Sequence, residues 1–272
     1  MSSAGRLRWA LEIGSLEIRK QLSYRVDFWM NFVVSVGVDL ILAYAIWRSI
    51  FAIRGLTEIG GFSFHQMMFY YLLTPMVSRV SHGAEMGFVS QEIYDGSLTR
   101  FLVYPISFLA YKLVQYVAQS LVFSIQLWGV LFCFAVFISY GDAAVSWQAC
   151  VLGSVSMFLG GVLYFMMLAI LEMVAFWADQ VWSLTVMLRF AILFLGGGLV
   201  PLTLFPEWSR HWVEILPFSF LVSFPVNSFM GRIAGWDWLA GVGVLLSWTA
   251  IFFGMARWVW RRGLKGYTGV GI

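Results

Sequence analysis

Long apolar runs separated by short polar stretches make up most of the chain. Six runs have lengths that suit membrane spans: 28–51, 62–80, 108–139, 147–171, 181–199 and 236–258. A helix needs about 20 mostly apolar residues to cross a bilayer. The second run is the weakest because His65, Gln66 and Pro75 interrupt it, and the third is long enough that its start is expected to project from the bilayer. The pattern predicts an all-α polytopic membrane protein with six transmembrane helices.

The segment before the first run is amphipathic instead. At 100° per residue, five residues form a narrow stripe, and most of the charged residues lie off it: Leu7, Leu11, Gly14, Ile18 and Leu22. This favours an N-terminal amphipathic helix within residues 1–27 that lies in the membrane interface. An amphipathic helix packed on a partner protein remains an equally open interpretation.

The stretch between the fifth and sixth runs, 201–235, is rich in proline and aromatic residues. Pro206 and Pro217 divide it, and its apolar part at 218–230 is too short to cross a bilayer. Three glycines at 196–198 precede it and allow a bend. We expect a re-entrant outer hairpin that enters the outer leaflet and returns. A lid that only packs on the bundle is the open alternative.

Composition and charge agree with the membrane class and give it an orientation. The chain is 61% hydrophobic and 11% charged, whereas a soluble domain has about 25% charged residues. With both termini inside, twelve lysines and arginines fall on the cytosolic side and four on the other. We therefore expect a single membrane domain over 1–272, with spans at 28–258 and a cytosolic tail at 259–272. A bacterial inner (cytoplasmic) membrane is the expected location, and a net charge of +3 gives no support for a nucleic-acid partner.

Motifs for catalysis are missing from the sequence. It holds no phosphate-binding loop of the G-x-x-x-x-G-K-[ST] form. His65, His82 and His211 are scattered, and Cys133 and Cys150 lie in apolar runs. We expect no catalytic residues, no metal site and no cofactor bound by this chain. Uphill transport would then need an ion gradient or a partner ATPase.

Two ionisable residues lie within predicted spans, Asp39 in the first and Arg189 in the fifth. A charge in hydrocarbon is costly, so each is expected to face protein, water or the other. A direct Asp39–Arg189 pair is one hypothesis, and a structural role for it is favoured over a proton relay.

The longest stretch with cytosolic character is 81–107. Glu85, Phe88, Glu92 and Ile93 have the spacing of a short amphipathic helix. The Asp95-Gly96 pair that follows is typical of a turn. Ser97 then suits the cap of a second short helix, which Pro105 interrupts. Two such helices are suited to a groove on a soluble partner, and a plain connecting loop is the open alternative.

These features together resemble the membrane subunit of an ABC exporter, an ABC-2-type permease. The likeness extends over essentially the whole chain and is carried by an ordered set of short motifs. They are YRVDF at 24–28, GSL at 96–98 with YPI at 104–106, Pro201 with FPEW at 205–208, LPF at 216–218, PV at 225–226 and RRGLKGY at 261–267.

The resemblance implies a working arrangement in which two permease copies, or this chain and a similar permease, pair in the lipid bilayer. Separate ATP-binding-cassette ATPase subunits, which bind ATP and Mg, push on the second-loop helices at about 86–100. It places the ATPase contact at Glu92, Ile93, Tyr94, Asp95, Gly96 and Arg100. It places the outer gate at Phe205, Pro206, Trp208, Leu216, Pro217 and Phe218. The chain lacks the large extracellular domain of many relatives, so no outer substrate-capture site is expected.

The function expected from this resemblance is outward movement of a lipid-like, glycan or hydrophobic substrate. A secondary transporter or channel that uses Asp39 and Arg189 for ion coupling is the main alternative, although such proteins usually show inverted repeats. An intramembrane enzyme is a third possibility, but it needs a polar cluster that the scattered histidines do not supply.

Overall fold

The computed structural model describes residues 3–23, 25–83, 89–104, 106–137 and 146–269. Glu85, Phe88 and Pro105, which belong to the predicted loop helices, lie outside the described residues, as does the end of the third predicted span. The elements in chain order are α1 (Ser3–Ser23), α2 (Arg25–Arg54), β1 (Glu58–Ile59), β2 (Phe62–Ser63), α3 (Phe64–Ser81), α4 (Ser90–Tyr94), α5 (Leu98–Leu102), α6 (Phe108–Phe137), α7 (Trp147–Glu172), α8 (Trp182–Leu195), α9 (Glu207–Ile215), α10 (Ser223–Phe229) and α11 (Gly235–Gly266). Short 3₁₀ turns follow α7 at Met173–Phe176 and flank α9 at Leu202–Leu204 and Ser219–Leu221. The all-α prediction is confirmed, since the strands form only a small antiparallel hairpin.

Four helices in the described part of the chain are long and apolar enough to cross a membrane: Val26–Arg54, Phe108–Phe134, Trp147–Phe176 and Gly235–Gly266. They coincide with the first, third, fourth and sixth predicted spans. The second predicted span corresponds to α3, which has 18 residues and contains a proline. The fifth predicted span corresponds to α8, which has 14 residues. The last helix continues past residue 258 to Gly266, so the predicted tail is partly helical.

The helices form a bundle with two distinct ends. α3 runs antiparallel to α6, because Phe69 stacks on Phe134 while the Tyr116 hydroxyl donates to the Ser81 carbonyl (2.6 Å). α7 and α11 run in the same direction, since the Trp238 indole donates to Ser156 (2.8 Å) in their N-terminal halves and Gly263 packs against Phe176 just beyond the C-terminus of α7. Their C-termini and α4 meet at one end, here named the α4 end. The β-hairpin and α9 lie at the other, the α9 end, where Gly60 packs against Leu204.

α7 is the central helix, and α2 and α11 are peripheral. Side chains of α7 from Leu163 to Ala169 are buried on every side, as expected for a helix that is apolar all round. By contrast, α2 and α11 leave many large apolar side chains exposed, among them Ile41, Ile53 and Phe253. Apolar surface on this scale requires lipid or another protein chain to cover it.

The segment between α8 and α11 folds into the bundle from the α9 end and returns. The turn at Ser219–Leu221 reaches Gly160, where a Cβ would lie only 2.6 Å from the Phe220 carbonyl oxygen. Gly160 is 13 residues into α7, which corresponds to roughly 20 Å along the helix axis. The Ser223 amide then donates to the Gly196 carbonyl (2.9 Å). The glycine-rich stretch after α8 therefore holds the first residue of α10, the helix through which the segment runs back toward the α9 end.

α1 forms over the range that the amphipathic pattern predicts and lies along the first turns of α6. Trp9 packs on Tyr111 with ring centroids 5.6 Å apart. Glu17 lies off the predicted apolar stripe, yet it is buried and accepts a hydrogen bond from Gln119 (2.9 Å). Leu11 and Leu22, which belong to the stripe, stay exposed. The face that packs on the bundle includes Glu17 and borders the apolar stripe, since Gly14 lies against Ala118 of α6 and Ile18 is half-buried. Leu11 and Leu22 remain available to lipid or a partner.

Candidate functional site

α4 and α5 form a compact helix–turn–helix unit at the α4 end. Asp95 is the C-cap of α4, and Gly96 has a φ of +69° that favours glycine, so the predicted turn is where the sequence places it. Ile93, Leu98 and Phe101 are buried beneath the unit. Ser97 begins α5 as predicted, but its hydroxyl donates to Glu92 (2.5 Å) instead of capping the helix.

Glu92 is the centre of an ion-pair network that attaches α4 to α6. Its carboxylate accepts from the Lys112 ammonium at 3.0 Å and lies 3.4 Å from the Arg100 guanidinium. Burial raises the pKa of Glu92, but the hydrogen bonds from Ser97 and Lys112 and the charges of Lys112 and Arg100 outweigh it, so the pKa lies below its ordinary value. The carboxylate is therefore ionised at neutral pH.

A second attachment connects α4 to α7. The carboxylate of Glu172, the last residue of α7, accepts hydrogen bonds from the Val89 amide (2.5 Å) and the Ser90 amide (3.3 Å). The Tyr94 hydroxyl donates to the Ala178 carbonyl (3.2 Å) just beyond α7. Neither Glu172 nor Lys112 could be assigned this role from the sequence, because both residues lie far from α4 along the chain.

The predicted coupling residues divide into two groups. Asp95 and Arg100 are exposed, whereas Glu92, Ile93, Tyr94 and Gly96 face the bundle wholly or in part. Three further apolar residues at the end of α5 are exposed and were not predicted from the sequence: Leu102, Val103 and Tyr104. The result is a mixed polar and apolar surface on a firmly held base, as a docking surface for a soluble partner requires.

Asp39 and Arg189 line the same cavity, a space of about 880 Å³ between α2, α3 and α8. Tyr71, Thr74, Ser78 and His82 add polar groups to a wall that is otherwise apolar. Within the described residues, the two side chains make no ion pair at 4 Å or closer. A largely apolar cavity with a few convergent polar groups is the usual form of a ligand site.

Five of the six predicted gate residues flank α9, and Trp208 lies in its first turn. Pro206 is the N-cap of α9 and Trp208 is highly exposed, while Phe205 packs on Phe194 at 5.5 Å between ring centroids. Leu216, Pro217 and Phe218 follow α9 and lead into the turn that reaches Gly160. All six residues therefore belong to the segment between α8 and α11 that folds into the bundle, here named the inserted segment.

The searched part of the chain contains no group of three His, Cys, Asp or Glu residues that could hold a metal ion.

The family model for ABC-2 family transporter proteins matches residues 34–271, which includes every helix from α3 to α11 and most of α2. Comparison with curated proteins and with solved structures gives no match. Since the family model extends over most of the chain, the chain belongs to the ABC-2 transporter family and is an ABC-2-type permease.

Proposed function

We propose that this chain is the permease subunit of an ATP-driven exporter and that separate ATPase subunits dock on the α4–α5 unit. The observation that carries the proposal is the double attachment of α4, through Lys112 to α6 and through Glu172 to α7. A short helix with an exposed outer surface and two fixed anchors transmits force from a docked partner into the bundle. The chain supplies no nucleotide motif of its own, so ATP and Mg are bound by the partner.

The proposed membrane arrangement has six spans with both termini in the cytosol of a bacterial cell. α3, continued by the β-hairpin, and α8, continued by the 196–201 segment, supply the second and fifth crossings. The inserted segment between α8 and α11 is then a re-entrant hairpin on the outer side. Support comes from its path, since irregular backbone at membrane depth is tolerated where protein surrounds it.

The proposed transport path runs through the cavity between α2, α3 and α8 toward the inserted segment. Its walls suit a lipid-like, glycan-linked or hydrophobic substrate, with the polar groups near Asp39 and Arg189 contacting the polar part. A second copy of the chain, or a similar permease, covers the exposed face of α2 and closes the cavity. Nucleotide-driven movement of α4 then shifts the bundle and opens the gate residues around α9.

Docking of the ATPase on α4 and α5 is tested by changing the exposed Asp95 and the turn residue Gly96. In a reconstituted complex, Asp95→Arg reverses an exposed charge, and Gly96→Pro places proline at a positive φ that its ring forbids. We expect both variants to reach the membrane at normal levels but to lose substrate-stimulated ATP hydrolysis. Asp95→Asn, which keeps the size of the side chain, is the matched control and should be milder.

The measurement is ATPase activity against a panel of lipids and apolar compounds, with copurification of the ATPase subunit as a second readout. Unchanged stimulation in both variants would contradict the assignment of this surface.

A secondary transporter or channel is the second candidate, and the shared cavity of Asp39 and Arg189 favours it. The test is transport in vesicles that contain only this chain. Transport that depends on an ion gradient and does not depend on ATP would establish the second candidate.

A further inference from the structure

α4 begins without a capping side chain of its own. Its N-cap is Val89, which has no side-chain acceptor for the free amides of the first turn. The Glu172 carboxylate supplies that acceptor from α7, across 82 positions of sequence from Ser90. Glu172 is completely buried, so α4 is joined to the end of α7 in a site from which water is excluded.

α7 leads directly from this attachment to the inserted segment. Gly160 lies 12 residues before Glu172, about 18 Å along the helix, and packs against the Phe220 carbonyl. The next residue, Gly161, lies against Tyr116 of α6, whose hydroxyl oxygen leaves no room for a Cβ. α7 thus packs closely against both the Ser219–Leu221 turn and α6, and it cannot slide without moving them.

We propose that Glu172 is the positioning residue that makes α4 and α7 move as one body, so that displacement of α4 reaches the Ser219–Leu221 turn through α7. The inference rests on the proposed function, because it names the route by which docking at α4 affects the gate. Lys112 fixes α4 to α6 as well, but α6 has no comparable contact with the turn among the element contacts of the described residues.

The test uses a fluorescent label at the α9 end and nucleotide trapping at the other. Cys133 and Cys150 are replaced by serine, Trp208→Cys carries an environment-sensitive label, and the complex with its ATPase is trapped with ADP and vanadate. Glu172→Ala removes the acceptor, and Glu172→Gln keeps an acceptor oxygen. Ser156→Ala, a buried polar change elsewhere on α7, is the matched control.

We expect trapping to change the label signal in the parent, in Glu172→Gln and in Ser156→Ala, and to change it little in Glu172→Ala although the ATPase still copurifies. A full signal change in Glu172→Ala, or equal loss in Glu172→Gln, would overturn the proposal. If Glu172→Ala does not accumulate, Glu172→Asp shortens the reach and should give a partial loss.

Hydrogen exchange separates failure of this inference from failure of the proposed function. Loss of two amide hydrogen bonds should raise hydrogen exchange at 89–94 about tenfold in Glu172→Ala, while exchange in α7 is unchanged. If nucleotide trapping does not change the label signal in the parent complex, the ATP-driven function is refuted. The hydrogen-exchange measurement would then still test whether Glu172 caps α4. Unchanged exchange at 89–94 would refute the cap.

Discussion

Glu92 and Lys112 form an ion pair in which both side chains are largely buried. Breaking such a pair costs more than breaking an exposed one, because removal of one partner leaves the other charge in a poorly solvated place. The rings of Phe101 and Phe108 lie within 6 Å of the Lys112 ammonium and keep water from it. At the residue scale, this pair determines how firmly the α4–α5 unit is held.

Replacement of the Glu92 carboxylate should therefore weaken the fold. Glu92→Gln is expected to cost about 1–3 kcal/mol, seen as a drop of several degrees in the unfolding temperature of the purified chain. Glu12→Gln breaks an exposed pair with Arg8 and should change stability by under about 1 kcal/mol. Equal unfolding temperatures for the two variants would argue against the network.

The pH dependence follows from the lowered pKa of Glu92. A carboxyl whose pKa is lower in the folded state stabilises that state at pH above its unfolded value, 4.5, and this contribution is lost as the pH falls through the folded value. The stability difference between the parent and Glu92→Gln should therefore be full at neutral pH and shrink in acid. A difference that grows below pH 4.5 would contradict this assignment.

Asp39 and Arg189 belong to the cavity, where a charge swap tests whether they act together. Asp39→Arg and Arg189→Asp each place two like charges in one apolar space and should reduce transport by the reconstituted complex. The double variant restores one charge of each sign and should recover most of that loss. No recovery would mean that the two side chains act independently.

At the element scale, small residues determine how closely α7 approaches the inserted segment. Gly160→Ala puts a methyl group 2.6 Å from the Phe220 carbonyl oxygen, so the Ser219–Leu221 turn must shift. We expect a lower unfolding temperature and reduced transport. Gly254→Ala in α11 meets nothing within 4 Å and should be neutral or stabilising by up to about 1 kcal/mol. Similar destabilisation in both variants would show that the contact is unimportant.

Most helices could be predicted from the sequence, because apolar length and turn chemistry are local signals. The α4–α5 turn at Asp95-Gly96 is an example. The attachments of α4 could not be predicted, since Glu172 and Lys112 are single polar residues whose partners depend on tertiary packing. The burial of Glu17, which lies off the apolar stripe of α1, also depends on tertiary packing and could not be predicted from that stripe.

At the scale of the whole molecule, the proposed orientation places the α4 end in the cytosol. Arg262→Cys in α11 and Gln91→Cys in α4 should react with a membrane-impermeant maleimide only after cells are opened. Trp208→Cys in α9 should react in intact cells. All three positions are exposed in the isolated chain, and Cys133 and Cys150 are first replaced by serine. Labelling of Arg262→Cys in intact cells would reverse the orientation.

The cap that Glu172 provides also has a consequence for biosynthesis. A chain is made from its N-terminus, so the amides of Val89 and Ser90 leave the ribosome about eighty residues ahead of their acceptor. Until α7, the third of the long apolar helices, is in place, the first amides of α4 lack the Glu172 carboxylate as acceptor. The surface proposed to receive the ATPase is therefore completed late during translation, and an ATPase subunit would engage only a permease whose central helix has already been inserted.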